Sequence, residues 1–440
     1  MSTVQCVHAY RYRWLILLSL MLLVLSVEMQ WMNLAPVGRV AARYYQDHPT
    51  NFYNNPVELL SLVYLVVFVL ASIPASYVLH RFGISLSIRV ACGMIIFGVF
   101  CKWIYVTNFT VVLFSQFVLA LAQALVLNSI TDIVSRWFPI RERGMAVGMA
   151  SAAQYFSLGI VMVLSPLLVV TKANLPNYGS GFDKMMGFYA IICSVFALVA
   201  ALLIRENPPS PSSILQQEQK VSFMHSFRAM VRIPSLRGLM IIFAISWGVF
   251  MTLLIKIDRI SELLGFPDSD GILGISMLVG GMIGAVVLPS LSDRLRKRKL
   301  FFVLCNLCSI PGILLLVFSQ DIGAVIFTSK VIAFIGSGII GFCLLSSIPI
   351  GSQYAAELGH SISEEVIQAM LLLYSQASCA LLLIISFIAS GKYSGQLLST
   401  MAALLFAAMI GSTFLKESEV IVTEEERLSQ VIEKEIVHLQ

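Results

Sequence analysis

Apolar residues in this chain run in long blocks and not at the short periods of a soluble fold. Twelve stretches almost free of charge stand at about 14–36, 57–79, 86–106, 110–135, 144–170, 185–204, 238–256, 271–290, 300–318, 322–350, 366–389 and 394–415. Runs of roughly 20 apolar residues are long enough for a helix to cross the hydrocarbon core of a bilayer. The pattern predicts an all-α polytopic membrane protein with twelve transmembrane helices. Its longest polar interruption opens Glu206-Asn-Pro-Pro-Ser-Pro and separates six spans from six. The predicted organisation is a six-helix bundle over 1–205, a cytoplasmic linker over 206–237, a second six-helix bundle over 238–416 and a cytoplasmic tail over 417–440. A helix lying on the membrane surface is expected near Ser222–Val231, and the Glu-rich tail is expected as a soluble helix or a disordered segment.

Composition mainly excludes. Hydrophobic residues make up 58% of the chain and charged residues 12%, against about 25% charged in soluble domains. The net charge of +5 is a topology signal and not a nucleic-acid footprint, because basic residues gather at every second inter-span segment. Arg11 and Arg13, Arg81 and Arg89, Arg136 to Arg143, Arg205 to Arg237 and Arg294 to Lys299 form these groups. By the positive-inside rule both termini are cytoplasmic. The first apolar stretch is too long for a signal-peptide core and is expected to be retained. Cys305 and Cys308, one turn apart with no second pair, read as small core residues. No P-loop, HExxH, GxSxG or CxxCH occurs, so an enzyme is not expected, nor a cofactor, a metal or a nucleic-acid partner. The expected partners are the bilayer and a small-molecule substrate, with the chain acting as a monomer. Its short loops suit a plasma membrane or a bacterial inner membrane.

The polar positions inside the spans carry the candidate chemistry. Glu28, Gln30 and Trp31 interrupt the first apolar run. A carboxylate at bilayer depth is costly and ordinarily faces a water-filled path. Glu28 and Trp31, three apart, share one helix face and set an anion beside an indole ring, a pairing that attracts a small cation. Gln123 and Gln376 are amides at membrane depth that must meet each other, water or a ligand. For Gln116 and Gln154 a helix-to-helix hydrogen bond explains the residue equally well. Asp132 and Arg136, at i and i+4, are expected to pair near the cytoplasmic end. Lys256, Asp258, Arg259 and Lys330 read as snorkelling or outer-gate residues. Gly144 with Gly148 and Gly280 with Gly284 form small-xxx-small faces that permit close helix contact.

Two resemblances follow from these residues. Twelve spans split in the middle, with Asp293-Arg294-Leu-Arg296-Lys297-Arg298 at the turn after the eighth, resemble the major facilitator superfamily and its cytoplasmic loop latch. The equivalent first-half turn keeps Arg81 and Gly83 but has His80 where aspartate is usual. That superfamily implies close packing of the fifth and eighth spans across the interface between halves. Gln30-Trp31, Ala122-Gln123, Trp137-Phe138, Gln154, the Pro208-Pro209-x-Pro211 linker, Ile348-Pro349-Ile-Gly351 through Ala355-Ala-Glu357-Leu358, and Leu372 to Gln376 resemble the feline leukaemia virus subgroup C receptor-related family. That resemblance implies a transporter of choline or a related amine working by alternating access. Haem, a vitamin or another nutrient, with or without proton coupling, is the alternative, and a non-transporting receptor a further one. It also implies that Trp31 stacks on the ammonium, that Gln123 and Gln376 line the cavity, and that Trp247 supplies the aromatic of the seventh span. With Glu28, Gln30 and Gln154 these are the expected substrate-binding residues, and Asp132, Arg136, Asp293, Arg294 and Glu357 the expected gating residues. Glu28 and Asp132 depart from the family, which has asparagine and arginine there.

Overall fold

The computed structural model describes residues 11–47, 56–172, 174–207, 230, 232–264, 271–321, 326–359, 362, 364–389 and 394–417. The expected surface helix near Ser222–Val231, most of the linker and most of the tail lie outside them. The described chain is helical: α1 Tyr12–Met32, α2 Gly38–Asp47, α3 Pro56–Phe82, α4 Ile84–Ile104, α5 Phe109–Trp137, α6 Ile140–Leu168, α7 Phe182–Leu203, α8 Pro234–Ile255, α9 Ile257–Leu263, α10 Ile272–Leu295, α11 Arg298–Asp321, α12 Ile326–Leu358, α13 Glu364–Ala389 and α14 Ser394–Thr413. Among the described residues eleven apolar helices are long enough to cross a membrane, and Leu397–Thr413 is a shorter apolar helix at the place of the twelfth predicted span.

Packing divides these helices into two groups. In the first, α1 lies against α5, α6 and α7, α4 against α5 and α7, and α3 against α5; in the second, α12 lies against α8, α10 and α11, α13 and α14 against α8, and α11 against α14. The groups meet along α3 with α13 and α6 with α10. Leu70, Leu167, Leu202 and Val286 project from the outside, as side chains facing lipid should.

Two short helices mark equivalent points in the halves. Beyond Met32 the chain passes Asn33 and a turn of 3-10 helix at Ala35–Val37 before α2. Pro36 lacks an amide hydrogen and cannot continue α1. In the second half α8 stops at Lys256, and α9 restarts one residue later. Both breaks lie on the face opposite the basic turns.

The glycine expectation is corrected. Gly144 and Gly148 have nothing within 4 Å of an added Cβ, so they make no close helix contact. Gly280 and Gly284 do, but with α12: an added Cβ would stand 2.4 Å from the Gly338 carbonyl oxygen and 2.2 Å from that of Phe342. These small residues let α10 and α12 approach backbone to backbone. The α6–α10 approach lies instead at the non-basic end, where Gly271 and Gly274 come against Met162 and Pro166.

Candidate functional site

Glu28 lies in the last third of α1, buried to 2% exposure, with α5 opposite. The Gln123 side-chain amide donates to Glu28 Oε1 at 3.1 Å. An ionised carboxylate accepts such a bond on either oxygen. One turn on, the Trp31 ring lies parallel to that of Tyr64 on α3, with centroids 6.1 Å apart and planes 3° from parallel. Tyr64 is itself held by donating its hydroxyl to the Val27 carbonyl at 2.8 Å. Tyr64 and Tyr155, from α3 and α6, both lie within electrostatic reach of Glu28. Tyr155 stands beside Trp247 of α8, which carries the cluster across to the second half. Gln376, on α13, is buried to 2%.

Two of the expected residues each carry a buried polar atom without a partner. Trp31 Nε1, a donor, and Gln376 Oε1, an acceptor, are both buried and unbonded among the described residues. Leaving such a group unsatisfied costs about 1–3 kcal/mol. One comes from each half.

The remaining expected residues are placed as follows. Gln30 is two positions from Glu28, about 200° around the helix, and points into the first half: its amide donates to Cys193 Sγ at 3.5 Å and its oxygen accepts from Asn33 at 3.4 Å. It is thus turned away from the Glu28 face. Gln154 is half-buried beside Tyr155. Arg136 is engaged by Glu206 at 2.7 Å and by Asn207 at 3.1 Å, while Asp132 feels both His80 and Arg136. In the second-half turn the central cation is Arg298 and not Arg294. Arg294 lies on the exposed side of the last turn of α10; Arg298, at the start of α11, is buried to 7%. Its guanidinium pairs with Asp293 and, at 3.0 Å, with Glu357.

Three charged residues that the pattern left without a role in a site are prominent. Lys102 is buried to 2%, and its ammonium donates to Gln30 O at 3.2 Å, Asn33 Oδ1 at 3.2 Å and Gln116 Oε1 at 3.0 Å. All three ammonium hydrogens are therefore used, each on a neutral oxygen, where α1 runs out of helical partners. Glu58 at the start of α3 pairs with Lys256 at 3.1 Å, and Lys256 also donates to Ser386. Glu206 closes the third site, with Arg136. Of the residues read as snorkelling or outer-gate, Lys256 and Asp258 are buried between the halves, Arg259 and Lys330 exposed. Asp258 takes Arg39 of α2 twice, from the backbone amide at 2.7 Å and from the guanidinium at 2.8 Å.

Ion pairs thus bind half to half only at one end among those described. Arg39–Asp258 and Lys256–Glu58 join the halves on the non-basic face. At the basic face Arg13–Glu142, Arg136–Glu206 and Arg298–Glu357 each stay within one half. The apolar core shows the same division. One cluster runs through both halves, whereas the basic end of the second half, with Leu239, Phe243, Phe302 and Tyr354, forms a cluster of its own.

Residues 14–363 match the Major Facilitator Superfamily. A choline/ethanolamine transporter of Danio rerio, flvcr2a, is 24% identical over 376 residues, covering 82% of this chain and 77% of its own. Solute carrier family 49 member A3 of the same species is 28% identical over 392 residues, with 86% and 78% covered. The Homo sapiens choline/ethanolamine transporter FLVCR2 is 20% identical over 380 residues, with 83% and 70% covered. Among solved structures, a D-xylose-proton symporter superposes with a TM-score of 0.68 at 13% identity over 93% of this chain and 99% of its own. A bacterial homologue of the human lysosomal transporter Spinster, inward-facing and unoccupied, gives 0.62 at 15% identity over 93% and 95%. At such identities the likeness in shape shows the fold.

Proposed function

The chain belongs to the major facilitator superfamily, and on that footing we propose that this multi-pass membrane transporter carries choline or a related small amine by alternating access. The observation that carries the reading is the cluster at the meeting of the halves. A buried carboxylate, Glu28, shares a helix face with Trp31, and an unpartnered donor from one half accompanies an unpartnered acceptor from the other. An amino alcohol presents what that set lacks: a cation for the carboxylate and the indole face, and a hydroxyl that can accept from Trp31 Nε1 and donate to Gln376 Oε1. The relatives named as choline/ethanolamine transporters support the same class of cargo.

In this reading the basic face is cytoplasmic, and the described ion pairs between the halves tie the outer ends. Alternation then requires Arg39–Asp258 and Lys256–Glu58 to part. A second reading keeps the path and adds proton coupling. It is favoured by the presence of two ionisable groups, Glu28 and Lys102, deep within one half.

The deciding experiment measures thermal stabilisation of purified protein by choline, ethanolamine and haem, followed by radiolabelled choline uptake into proteoliposomes with and without an imposed proton gradient. A ligand at one hundred times its Kd stabilises by about 2.7 kcal/mol. Stabilisation by choline with gradient-independent uptake supports the first reading, and accumulation that follows the gradient supports the second. If haem stabilises and choline does not, the amine assignment is wrong.

A further inference from the structure

We propose that Glu206, the third residue after α7, is the acidic member of the first half's basic-face latch, so that the root of the linker is a working part of the turn between α3 and α4. The proposal does not depend on the identity of the cargo.

The second half shows what such a latch contains. Asp293, in the last turn of α10, pairs with Arg298 at the start of α11, and Arg298 reaches across to Glu357 on α12. The corresponding first-half turn is Leu79-His80-Arg81-Phe82-Gly83, which has no acid. It also leaves α4 without a cap of its own: Gly83, at φ +84°, offers no side chain to the first amides of the helix. Those amides need acceptors, and a negative charge is favoured at a helix N-terminus.

Glu206 meets both needs from 121 positions away. Its Oε2 accepts from the Ser85 amide at 2.8 Å, and the Ile84 amide lies close enough to favour the charged carboxylate. Its Oε1 takes Arg136, at the end of α5, at 2.7 Å. The carboxylate lies flat against Gly83, where an added Cβ would come 2.9 Å from Oε2. Burial opposes the charge, but the two amides and Arg136 outweigh it and hold the carboxyl below its usual value. Glu206 and Arg136 are each about one-third exposed, and an ion pair so exposed contributes little by itself. The carboxylate matters because it joins three elements at one point.

The backbone around it is fixed as well. Tyr12 donates to Leu203 O at 2.8 Å, Trp137 Nε1 to Arg205 O at 3.2 Å, and the Arg205 guanidinium lies 5.3 Å over the Tyr12 ring. The chain leaving α7 is therefore bound to α1, α4 and α5 before the linker proper begins. Movement of the first half's basic end must carry the linker root with it.

The test uses the full chain with Glu206→Gln, Glu206→Ala, Arg136→Gln and the Glu206→Gln/Arg136→Gln pair. Glutamine keeps the length and one acceptor, so that variant is expected to fold. Hydrogen exchange by mass spectrometry reads the latch without any cargo: in Glu206→Ala the segment beginning at Ile84 and Ser85 is expected to exchange on the order of tenfold faster than wild type, the size of effect for a lost charge-assisted bond. Choline counterflow in proteoliposomes reads its role in transport. The expected result is a lower maximal rate with KM unchanged in Glu206→Gln, and a double variant no worse than the more impaired single. Wild-type exchange at that segment in Glu206→Ala overturns the proposal, and so do additive losses in the double variant. If wild-type protein shows no choline counterflow, the amine reading fails while exchange still decides the latch.

Discussion

The two halves share one architecture but fill their interiors with different chemistry. The first half buries Glu28, Lys102, Gln30, Asn33, Gln116 and Gln123 around the end of α1. The second is drawn tight by glycine: an added Cβ at Gly341 would stand 1.7 Å from the Met277 carbonyl oxygen, and Gly312 and Gly336 face one another. Its buried amide Asn306 is satisfied at close range by Ser246 at 2.6 Å and by Phe302 O at 2.9 Å. In hydrocarbon a polar network must be complete or it costs, whereas small residues gain their energy from backbone approach. The difference assigns roles. The first half holds the charged chemistry, and the second is a stiff wall that contributes Trp247, Gln376 and the outer partners Lys256 and Asp258.

The comparison breaks most severely at Gly341. Any side chain there strikes backbone, which no rotamer relieves, so Gly341→Val is expected to yield no monodisperse protein by size-exclusion chromatography. Gly148→Val, in open space, is expected to behave as wild type. A folded Gly341→Val protein would show that α10 and α12 are not in close contact.

Next in size is the tie between the halves. Asp258→Asn leaves Arg39, whose side chain is 12% exposed, without its carboxylate, and breaking a fully buried pair, the upper bound here, costs about 3–5 kcal/mol. The outer ends are then expected to separate, read as a longer spin-label distance between α2 and α9. An unchanged distance distribution would mean that the pair does not hold the outer ends together. Lys102→Met follows. It strips a donor from three buried oxygens, each worth about 1–3 kcal/mol when left unpaired, and should lower Tm by several degrees. Should Tm be unchanged, the amide cluster is not held by the ammonium.

At the site itself, Trp31→Ala removes a desolvated cation–π contact of about 2 kcal/mol, so choline affinity is expected to fall by more than tenfold with the fold intact. Glu28→Gln should weaken choline binding at every pH if the carboxylate serves the substrate, and abolish only gradient-driven accumulation if it serves a proton. The smallest effect concerns Glu206. Its carboxyl is held below the ordinary value of 4.5, so its contribution is fully present above about pH 4.5 and fades as pH falls through the folded-state value. Glu206→Gln should therefore lose a small increment of Tm at neutral pH and match wild type in acid. A constant difference down to low pH would remove charge from the explanation.

Hydropathy and alternating basic turns were readable along the chain because each is a local property. Glu28 and Trp31 were readable too, since a carboxylate three residues from an indole is rare inside an apolar run. Lys102 was not. A single lysine in Phe100-Cys101-Lys102-Trp103 near a span end has the same hydropathy whether it snorkels to the surface or turns inward to three oxygens. Glu206 reads as the first charge of a linker, and its partners at Ser85 and Arg136 lie in other elements.

The sequence by itself determined that the chain lives in a bilayer, where it crosses, which turns are basic and that a carboxylate interrupts the first span. These follow from one-dimensional arithmetic: run length, charge and period. Tertiary structure alone decided which helix each polar group faces, that Arg298 and not Arg294 is the buried cation, that the glycines of α10 serve α12, and that the described ion pairs between the halves lie at one end. A buried charge or a bare backbone carbonyl acts only on what lies within a few ångströms, and distance along the chain does not say what that is.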